Sequence, residues 1–505
     1  MPVLRDLMTM ARRIEGHRPW PRGVVDVVVW HLATEALAAG EATLLGLWGD
    51  HDAVHMALLD EAGADFVVLS LDCRSGQFLS VGALHPPAIR LERAIHDLFG
   101  FAPDGAPDAR PWLDHGRWDV AFPLQHMPQP QRGEPTPYTF LPAEGESLHQ
   151  IAVGPVHAGV IEPGHFRFTA GGETVVRLEQ RLGFVHKGIE KLMQGAELDR
   201  AAKLAGRTSG DSTVAYAIAF ARAAEAALDL EPPPRGQWLR AVMAELERLA
   251  NHFGDIGAIC NDASFALMQA HCAVLRERVL RAAATAFGHR LMRDCVVPGG
   301  VAVDLTQEGM AAIRTVVDEA QHRFPPLVAL YDNTASLQDR TVGTGILRPE
   351  LARRFGAGGF VGRASGRAFD ARRSPGYAPY DQLGFAVPTR DDGDVNARVW
   401  IRIREVEQSL GLIGQLIERL PAGPIGHPVR RTSRSGEGIA LVEGFRGDIL
   451  VSLRLGAGGE VGRCHLRDPS WFQWPLLEAA IEGNIVADFP LCNKSFNCSY
   501  SGHDL

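Results

Sequence analysis

The sequence predicts an α+β protein: a small N-terminal α/β domain, a proline-rich arm, and a larger, mainly helical domain with β-rich edges. Three observations predict this fold class. The 505 residues are too many for one ordinary hydrophobic core. A stretch rich in Pro and Gly interrupts the chain after its first hundred residues. After residue 176, helical patterns dominate.

The N-terminal domain is expected to span residues 1–120. Its predicted strands are Val24–Trp30, Thr43–Trp48 and Phe66–Asp72. A helix is predicted after the proline pair at Pro86, because Leu91, Ala94, Ile95 and Leu98 fall on one stripe at helical spacing.

The arm is expected to span residues 121–145, because Gln125–Pro137 holds too many prolines for a helix or a central strand. The second domain, residues 146–505, should begin with strands over Ile151–Val176. Its predicted helices, several with apolar residues at i, i+3, i+4 and i+7, are Gln237–Ile259, Ala270–Leu291, Glu308–Phe324, Ala397–Leu420 and Trp474–Glu482.

Composition excludes several classes of protein. Hydrophobic residues make up 46%, which is too many for a disordered chain. The net charge of −9, without a block of Lys or Arg, argues against a nucleic-acid partner. We expect no secretory signal and no transmembrane segment, since the longest apolar runs, such as Val24–Trp30, fall far short of a membrane span. The chain should stay in the cytoplasm, where it could still dock on a membrane complex.

Several segments carry a resemblance to a known family. In the N-terminal part, His85–Gly100 is similar to the signature of the small NuoC-type (30-kDa-type) subunit of complex I. The rest resembles the NuoD-like large subunit that complex I shares with group 4 nickel–iron hydrogenases. The matching segments are Gly154–His157, Glu162–Phe168, Gly183–Lys191, Glu245–Asp255, Pro298–Val301, Asp339–Gly345, Ala364–Gly366 and His465–Ser470. Their consistent order resembles the fused subunits of hydrogenase-3 and hydrogenase-4 type.

The resemblance implies a lost metal site. In nickel–iron relatives two CxxC pairs supply thiolates to the metal, and this chain has no CxxC. The matching early positions hold Ser209 and Ser212, whose hydroxyls are hard, weak donors. At the C-terminus we align the second pair with Cys498 and Ser501, so that one cysteine of four survives and no metal is expected. A zinc site from Cys492, Cys498 and His503 would match no common ligand spacing.

The resemblance also implies that the cavity receives a quinone in place of the metal. A quinone needs hydrogen-bond partners at its two carbonyls, commonly a Tyr and a His. Tyr216 stands in the register of the complex I tyrosine, and His157 or His165 would supply the imidazole. Complex I places two histidines four residues apart here, whereas these are eight apart. Tyr216 could instead be a packed helix aromatic, and the histidines structural hydrogen-bonding groups.

Glu190 matches the acidic residue that relays protons beside the metal in hydrogenases. Partial burial would raise its pKa and allow this role. The alternative is a carboxylate in a salt bridge, with Lys187 or Lys191. A further charged cluster, composed of Arg367, Asp370, Arg372 and Arg373, is expected to form a solvated loop.

The family resemblance implies a peripheral subunit on the cytoplasmic face of the membrane, in a complex I-related oxidoreductase that couples electron transfer to ion translocation. Its partners would be an iron–sulfur small subunit and antiporter-like membrane subunits. The chain itself should hold no tight cofactor, because it lacks a cluster motif and a phosphate-binding glycine loop. Any NAD(H) would act at the level of the complex. The alternatives are an active group 4 hydrogenase and a non-catalytic coupling scaffold.

Overall fold

The computed structural model describes residues 3–130, 137–157, 161–429 and 435–505. Its N-terminal layer is a five-stranded mixed sheet in the order β1-β3-β6-β5-β4, in which only the β3–β6 pair is parallel. The elements of this region are α1 Val3–Met10, β1 Arg12–Ile14, β2 His17–Arg18, β3 Arg22–Val25, α2 Val27–Ala39, β4 Thr43–Gly49, β5 Ala53–Asp60, β6 Asp65–Asp72, β7 Gln77–Leu79, α3 Ile89–Phe99, β8 Ala102–Asp104, β9 Val120–Ala121 and β10 Gln129–Pro130.

One predicted strand is wrong in part. The run Val24–Trp30 contains only the end of β3, and α2 begins at Val27. Asp26 explains the change, because its Oδ1 accepts hydrogen bonds from the backbone N–H groups of Val28 (3.0 Å) and Val29 (2.9 Å). This N-cap satisfies donors that a helix start leaves free, so it overrides the strand preference of three consecutive valines.

In the part of the chain that the structure describes, three sheets form the β-rich edges of the larger region. The strands are β11 Leu148–Val153, β12 His165–Gly171, β13 Thr174–Arg181, β14 Val296–Val297, β15 Gly300–Val301, β16 Gly436–Glu443, β17 Asp448–Leu455 and β18 Val461–Arg467. The sheets have the orders β11-β12-β13, β14-β15 and β18-β17-β16. Strand β2 pairs in parallel with β16, so the N-terminal region adds a strand to the C-terminal sheet. The domain boundary at residue 120 stays a prediction.

Helices form the interior of the larger region. They are α4 Ile189–Met193, α5 Leu198–Ala205, α6 Thr213–Leu228, α7 Pro234–Asp262, α8 Ala266–Phe287, α9 Gln307–Asn333, α10 Ala335–Thr341, α11 Pro349–Arg354, α12 Gly359–Arg363, α13 Val395–Glu418, α14 Ser470–Ala480, α15 Phe489–Phe496 and α16 Tyr500–Asp504. The α+β fold class is thereby confirmed. Helix α9 runs past the expected end at Phe324 with Pro325 and Pro326 inside it. Burial of Tyr331 in its last turns compensates for the hydrogen bonds that the prolines remove.

The charged cluster near residue 370 is part of the core, so the predicted solvated loop is wrong for most of it. Arg372 is 3% exposed and bonds Glu245 of α7 at 2.9 Å and Asp370 at 2.7 Å. Arg367 is also buried and bonds Glu61 at 2.7 Å, whereas Arg373 is exposed. Charges this deep persist only when they are paired, and two of the partners here, Glu245 and Glu61, lie far along the chain where the local sequence does not reveal them.

Helix α6 lies directly on strand β16 because two glycines of that strand have no side chain. A Cβ on Gly436 would collide with the Ala227 carbonyl oxygen, and one on Gly438 with that of Ala223. These contacts fix the last turns of α6, and near its start Ala215 Cβ lies 3.3 Å from the Cβ position of Gly444, just after β16.

Replacing Gly438 by Ala should therefore force α6 away from β16. We expect a loss of about 2 kcal/mol in the free energy of unfolding, measured by urea denaturation. Gly411→Ala is the matched control, because Gly411 is exposed on α13 with no atom within 4 Å of its Cβ position. That change should be neutral or stabilise by up to about 1 kcal/mol. Equal stability of the two variants would contradict the packing described.

Candidate functional site

The site begins in the loop between α5 and α6. Ser209 has extended backbone geometry, and a single 3₁₀ turn over Gly210–Ser212 leads into α6. Ser209 and Ser212 are 3% and 2% exposed. The loop is therefore a buried, tightly turned segment whose hydroxyls need partners inside the protein.

The partner segment is the end of the chain. Helix α15 ends at Phe496, and Asn497 follows in the left-handed conformation. Ser499 then caps α16, accepting a hydrogen bond from Gly502 N at 2.9 Å. Its Oγ also lies 2.9 Å from Ser209 Oγ. This contact joins segments that are 290 residues apart in sequence.

This geometry corrects the predicted C-terminal pairing. The residue opposite Ser209 is Ser499, not Cys498, while Ser501 lies nearer the surface and donates to Glu162 Oε1 at 2.6 Å. Gly502 lies three residues after Ser499, and a Cβ added to it would be 2.9 Å from Ser499 Oγ. The positions that meet across the two segments are thus Ser209 and Ser499, and Ser212 and Gly502 each follow three residues later. The predicted alignment was wrong because it matched Cys498, the one remaining cysteine, to a ligand position. Cys498 is a buried free thiol, and burial raises its pKa.

The donor set does not fit nickel. Three of these four residues offer protonated hydroxyls and the fourth is glycine, so none offers a thiolate. Within the described ranges, no group of three or more His, Cys, Asp or Glu side chains is arranged to hold a metal ion. Neither segment therefore places a thiolate at these positions, and the absence of a bound metal stays a prediction.

A guanidinium organises the serine loop. Arg446, 4% exposed, donates to Asp211 Oδ1 at 2.8 Å and to Ser212 Oγ at 3.2 Å, and it also donates to the carbonyl of Asn497. Burial raises the pKa of Asp211, but the charge of Arg446 outweighs burial and holds that pKa below its usual value. Asp211 is thus an ionised acceptor, and Ser209 donates to its Oδ1 at 2.8 Å.

Tyr216, the candidate quinone contact, is fully buried one turn into α6. Its hydroxyl donates to Asp468 Oδ2 at 2.6 Å. Burial, and then the charge of Asp468, raises the pKa of this phenol well above 10, so it stays protonated. Asp468 also accepts from Ser470 N at 2.9 Å, which fixes the carboxylate that holds the tyrosine.

The two candidate histidines have different environments. His165 is satisfied, with Nδ1 3.0 Å from the Gly154 carbonyl and Nε2 3.3 Å from Arg167 Nε, and burial lowers its pKa. His157 Nε2 is buried and has no partner in the part of the chain that the structure describes. Of the two, His157 therefore has a ring nitrogen available for a ligand, although no direct contact joins it to Tyr216.

Glu190 is paired with groups other than those predicted. It accepts from Arg463 Nη1 at 2.8 Å, His465 Nδ1 at 2.8 Å and Leu466 N at 3.0 Å, and not from Lys187 or Lys191. Burial raises the pKa of Glu190, but these partners, Arg463 first, bring it down to about 2. Both the expected raised pKa and the lysine partners are wrong. The salt-bridged alternative agrees with the geometry.

Sequence reasoning missed Ser499, Arg446, Asp468 and Glu247. Glu247 of α7 caps α6, accepting from Val214 N at 2.7 Å and Ala215 N at 3.1 Å. Burial raises its pKa to about 8. It lines a cavity of about 170 Å³ that also reaches Asp211. Asp468 lies in the family-like motif His465–Ser470. Of the four residues, it is the one that a feature of the sequence could have indicated.

Comparisons with known proteins agree with this architecture. A family model described as the 49 Kd subunit of respiratory-chain NADH dehydrogenase matches residues 262–435. Formate hydrogenlyase subunit 5 of Escherichia coli K12 is 30% identical over 466 residues, covering 90% of this chain and 82% of the relative. The chain belongs to this family of complex I and group 4 hydrogenase large subunits.

Further relatives extend the match. Hydrogenase-4 component G of E. coli K12 is 30% identical over 476 residues, covering 92% of this family member and 82% of the relative. A chain in the structure of the membrane-bound sulfane sulfur reductase, described as an archaeal respiratory membrane complex, superimposes with a TM-score of 0.67 at 25% identity. That match covers 71% of this chain and 99% of the other. No helix among the described residues is long and apolar enough to cross a membrane.

The Glu190 ion pair gives a prediction with a defined pH dependence. In Glu190→Gln, the buried Arg463 loses its counter-charge, so we expect the free energy of unfolding at pH 7 to fall by about 3 kcal/mol. The folded pKa of about 2 lies below the usual 4.5, so the stability that the wild-type carboxylate adds is present above pH 4.5. It is lost as the pH falls through 2, and the difference between the two proteins should shrink over this window.

Urea denaturation at several pH values measures this difference. Glu350→Gln, at an exposed position in α11, is the control and should change stability little at any pH. A Glu190→Gln deficit that stays constant between pH 5 and pH 2 would show that the ion pair is not its cause.

Proposed function

We propose that this chain is the peripheral large subunit of a membrane-bound, complex I-related oxidoreductase and forms a metal-free cavity for a quinone on the cytoplasmic side. The observation that carries the proposal is the set of Ser209, Ser212, Ser499 and Gly502, which cannot bind nickel, next to the buried Tyr216–Asp468 pair. A protonated phenol is a suitable hydrogen-bond donor to a quinone carbonyl, and His157 Nε2 is a buried group without a partner among the described residues.

Electrons would come from an iron–sulfur cluster of a partner subunit. Support comes from apolar side chains that are exposed on segments packed around the chain end: Val156, Ile161, Phe184 and Leu192. The segment after Phe184 bonds the chain end, through Val185 N to Asp504 Oδ2 at 3.0 Å and Lys187 N to Leu505 O at 2.8 Å. A small subunit that covers these side chains would bring its cluster close to the cavity. Antiporter-like membrane subunits would complete the complex and couple the reaction to ion translocation.

A second function is favoured by one observation. Tyr216 has no exposed surface and already donates to Asp468, so a non-catalytic scaffold that transmits conformational change would need no ligand there. The two functions differ in whether loss of the phenol hydroxyl affects electron transfer.

Tyr216→Phe in the intact complex separates them. We expect quinone reduction, with dithionite-reduced methyl viologen as donor and decylubiquinone as acceptor, to fall about tenfold or more, because the proton donor is lost while the ring still packs. The control is Tyr331→Phe, another fully buried tyrosine, which donates to Asn396 Oδ1 at 2.8 Å away from the site. An unchanged rate in Tyr216→Phe would favour the scaffold.

Metal analysis tests the hydrogenase alternative. The purified intact complex should contain nickel far below one atom per chain, since hydroxyl ligands bind this soft-ligand metal weakly. Elemental analysis by mass spectrometry measures the ratio. Nickel at unit stoichiometry, retained after dialysis against a chelator, would support the active hydrogenase instead.

A further inference from the structure

A cavity lies beside the serine loop, between α7 and α8. Its volume of about 170 Å³ has room for about five water molecules. Its polar lining includes Asp211, Glu247, Asn251 and Arg276, and apolar side chains of α8 close the rest. The function proposed above does not use this cavity.

Asp211 links the cavity to the interior. Its side chain is 36% exposed and lines the cavity, and its Oδ1 accepts the Ser209 hydroxyl at 2.8 Å. Ser209 Oγ then lies 2.9 Å from Ser499 Oγ, and because the Ser209 hydroxyl already donates to Asp211, Ser499 is the donor in this contact. Three oxygens therefore stand in series at hydrogen-bond distance.

The series ends beside the Tyr216–Asp468 pair. A Cβ on Gly502 would collide with both Ser499 Oγ and Asp468 Oδ2. Because glycine lacks this carbon, no side chain of residue 502 separates the two oxygens. They share no direct hydrogen bond, so a proton would cross this gap through a water molecule. Asp468 Oδ2 is the atom that accepts the Tyr216 hydroxyl.

We propose that Asp211, Ser209 and Ser499 form a proton relay that carries protons from the cavity to the Tyr216–Asp468 pair. The relay rests on the proposed quinone function. Reduction of one quinone to quinol takes two electrons, from the partner's reduced iron–sulfur cluster, and two protons. When the pair gives a proton to a quinone oxygen, the two serine hydroxyls turn toward the pair, Ser499 gives up its proton to the pair and takes the proton of Ser209, and Asp211 takes a proton from cavity water and passes it to Ser209. Each step breaks one O–H bond and forms another.

Glu247 supports this direction of flow. It faces the same cavity, and burial raises its pKa to about 8, so it holds a proton near neutral pH. A protonated carboxyl and an ionised one, Asp211, thus share one cavity, where the first can supply protons and the second can accept them. The serines at these positions then have a chemical role, because a hydroxyl both donates and accepts a hydrogen bond.

The test uses Ser209→Ala and Ser499→Ala in the intact complex, with dithionite-reduced methyl viologen and decylubiquinone. We expect kcat to fall about tenfold or more while the KM for decylubiquinone changes less than about twofold, because proton delivery is lost and quinone contacts are kept. Ser209→Thr and Ser499→Thr restore a hydroxyl and should recover most of the rate. The control is Thr208→Val in the same loop, because the buried Thr208 hydroxyl has no hydrogen-bond partner in the described structure.

The wild-type complex provides a second measurement that needs no variant. In mixtures of H₂O and D₂O, a relay that moves several protons together gives a curved dependence of rate on deuterium fraction. A linear dependence, or a normal kcat in both alanine variants, would overturn the relay. If Tyr216→Phe is slow and the serine variants are normal, only the relay fails; if Tyr216→Phe is also normal, the proposed quinone function fails with it.

Discussion

The hydrogen bond between Ser209 and Ser499 holds together two segments that the sequence keeps 290 residues apart, and the rest of the site depends on it. Arg446 reinforces the join by donating to Asp211 and Ser212 on one segment and to the Asn497 carbonyl on the other. In metal-binding members of the family, a metal held by both segments would supply this cross-link. Here the cross-link consists of the buried Arg446 guanidinium and the hydroxyls of Ser209 and Ser499. A protein interior tolerates such polar groups because each has a hydrogen-bond or ion-pair partner.

The same join explains the local pattern of charge and protonation. Arg446 keeps Asp211 ionised, whereas Glu247, which lacks a counter-cation of this kind and caps α6 through backbone N–H groups, has a pKa raised to about 8. Tyr216 remains a protonated donor because a carboxylate and deep burial oppose its ionisation. Three ionisable groups within one corner of the fold are thus set to different protonation states by their surroundings alone.

Much of the fold could be predicted from the sequence, because long helices such as α7 and α13 carry periodic apolar faces that are visible in any short window. Apart from the local cap at Asp26, the failures came where a partner lies far along the chain. At the valine-rich segment predicted as a strand, the Asp26 cap favours a helix. Arg372 and Glu190, in contrast, depend on partners 127 and 273 residues away. The loss of thiolates at Ser209 and Ser212 was readable from the family resemblance. The match of Ser499 to a ligand position was not readable from the sequence, because it depends on which side chain lies opposite Ser209 in the folded protein.

The central claim is that hydroxyls in direct contact occupy the place of a metal centre. A cryo-EM map of the intact complex, at a resolution that separates side-chain atoms, tests it most directly. The account predicts Ser209 Oγ and Ser499 Oγ at hydrogen-bond distance, with the Arg446 guanidinium beside them and no density between them. A compact density peak between the two segments, with these oxygens drawn apart to bind it, would contradict the account.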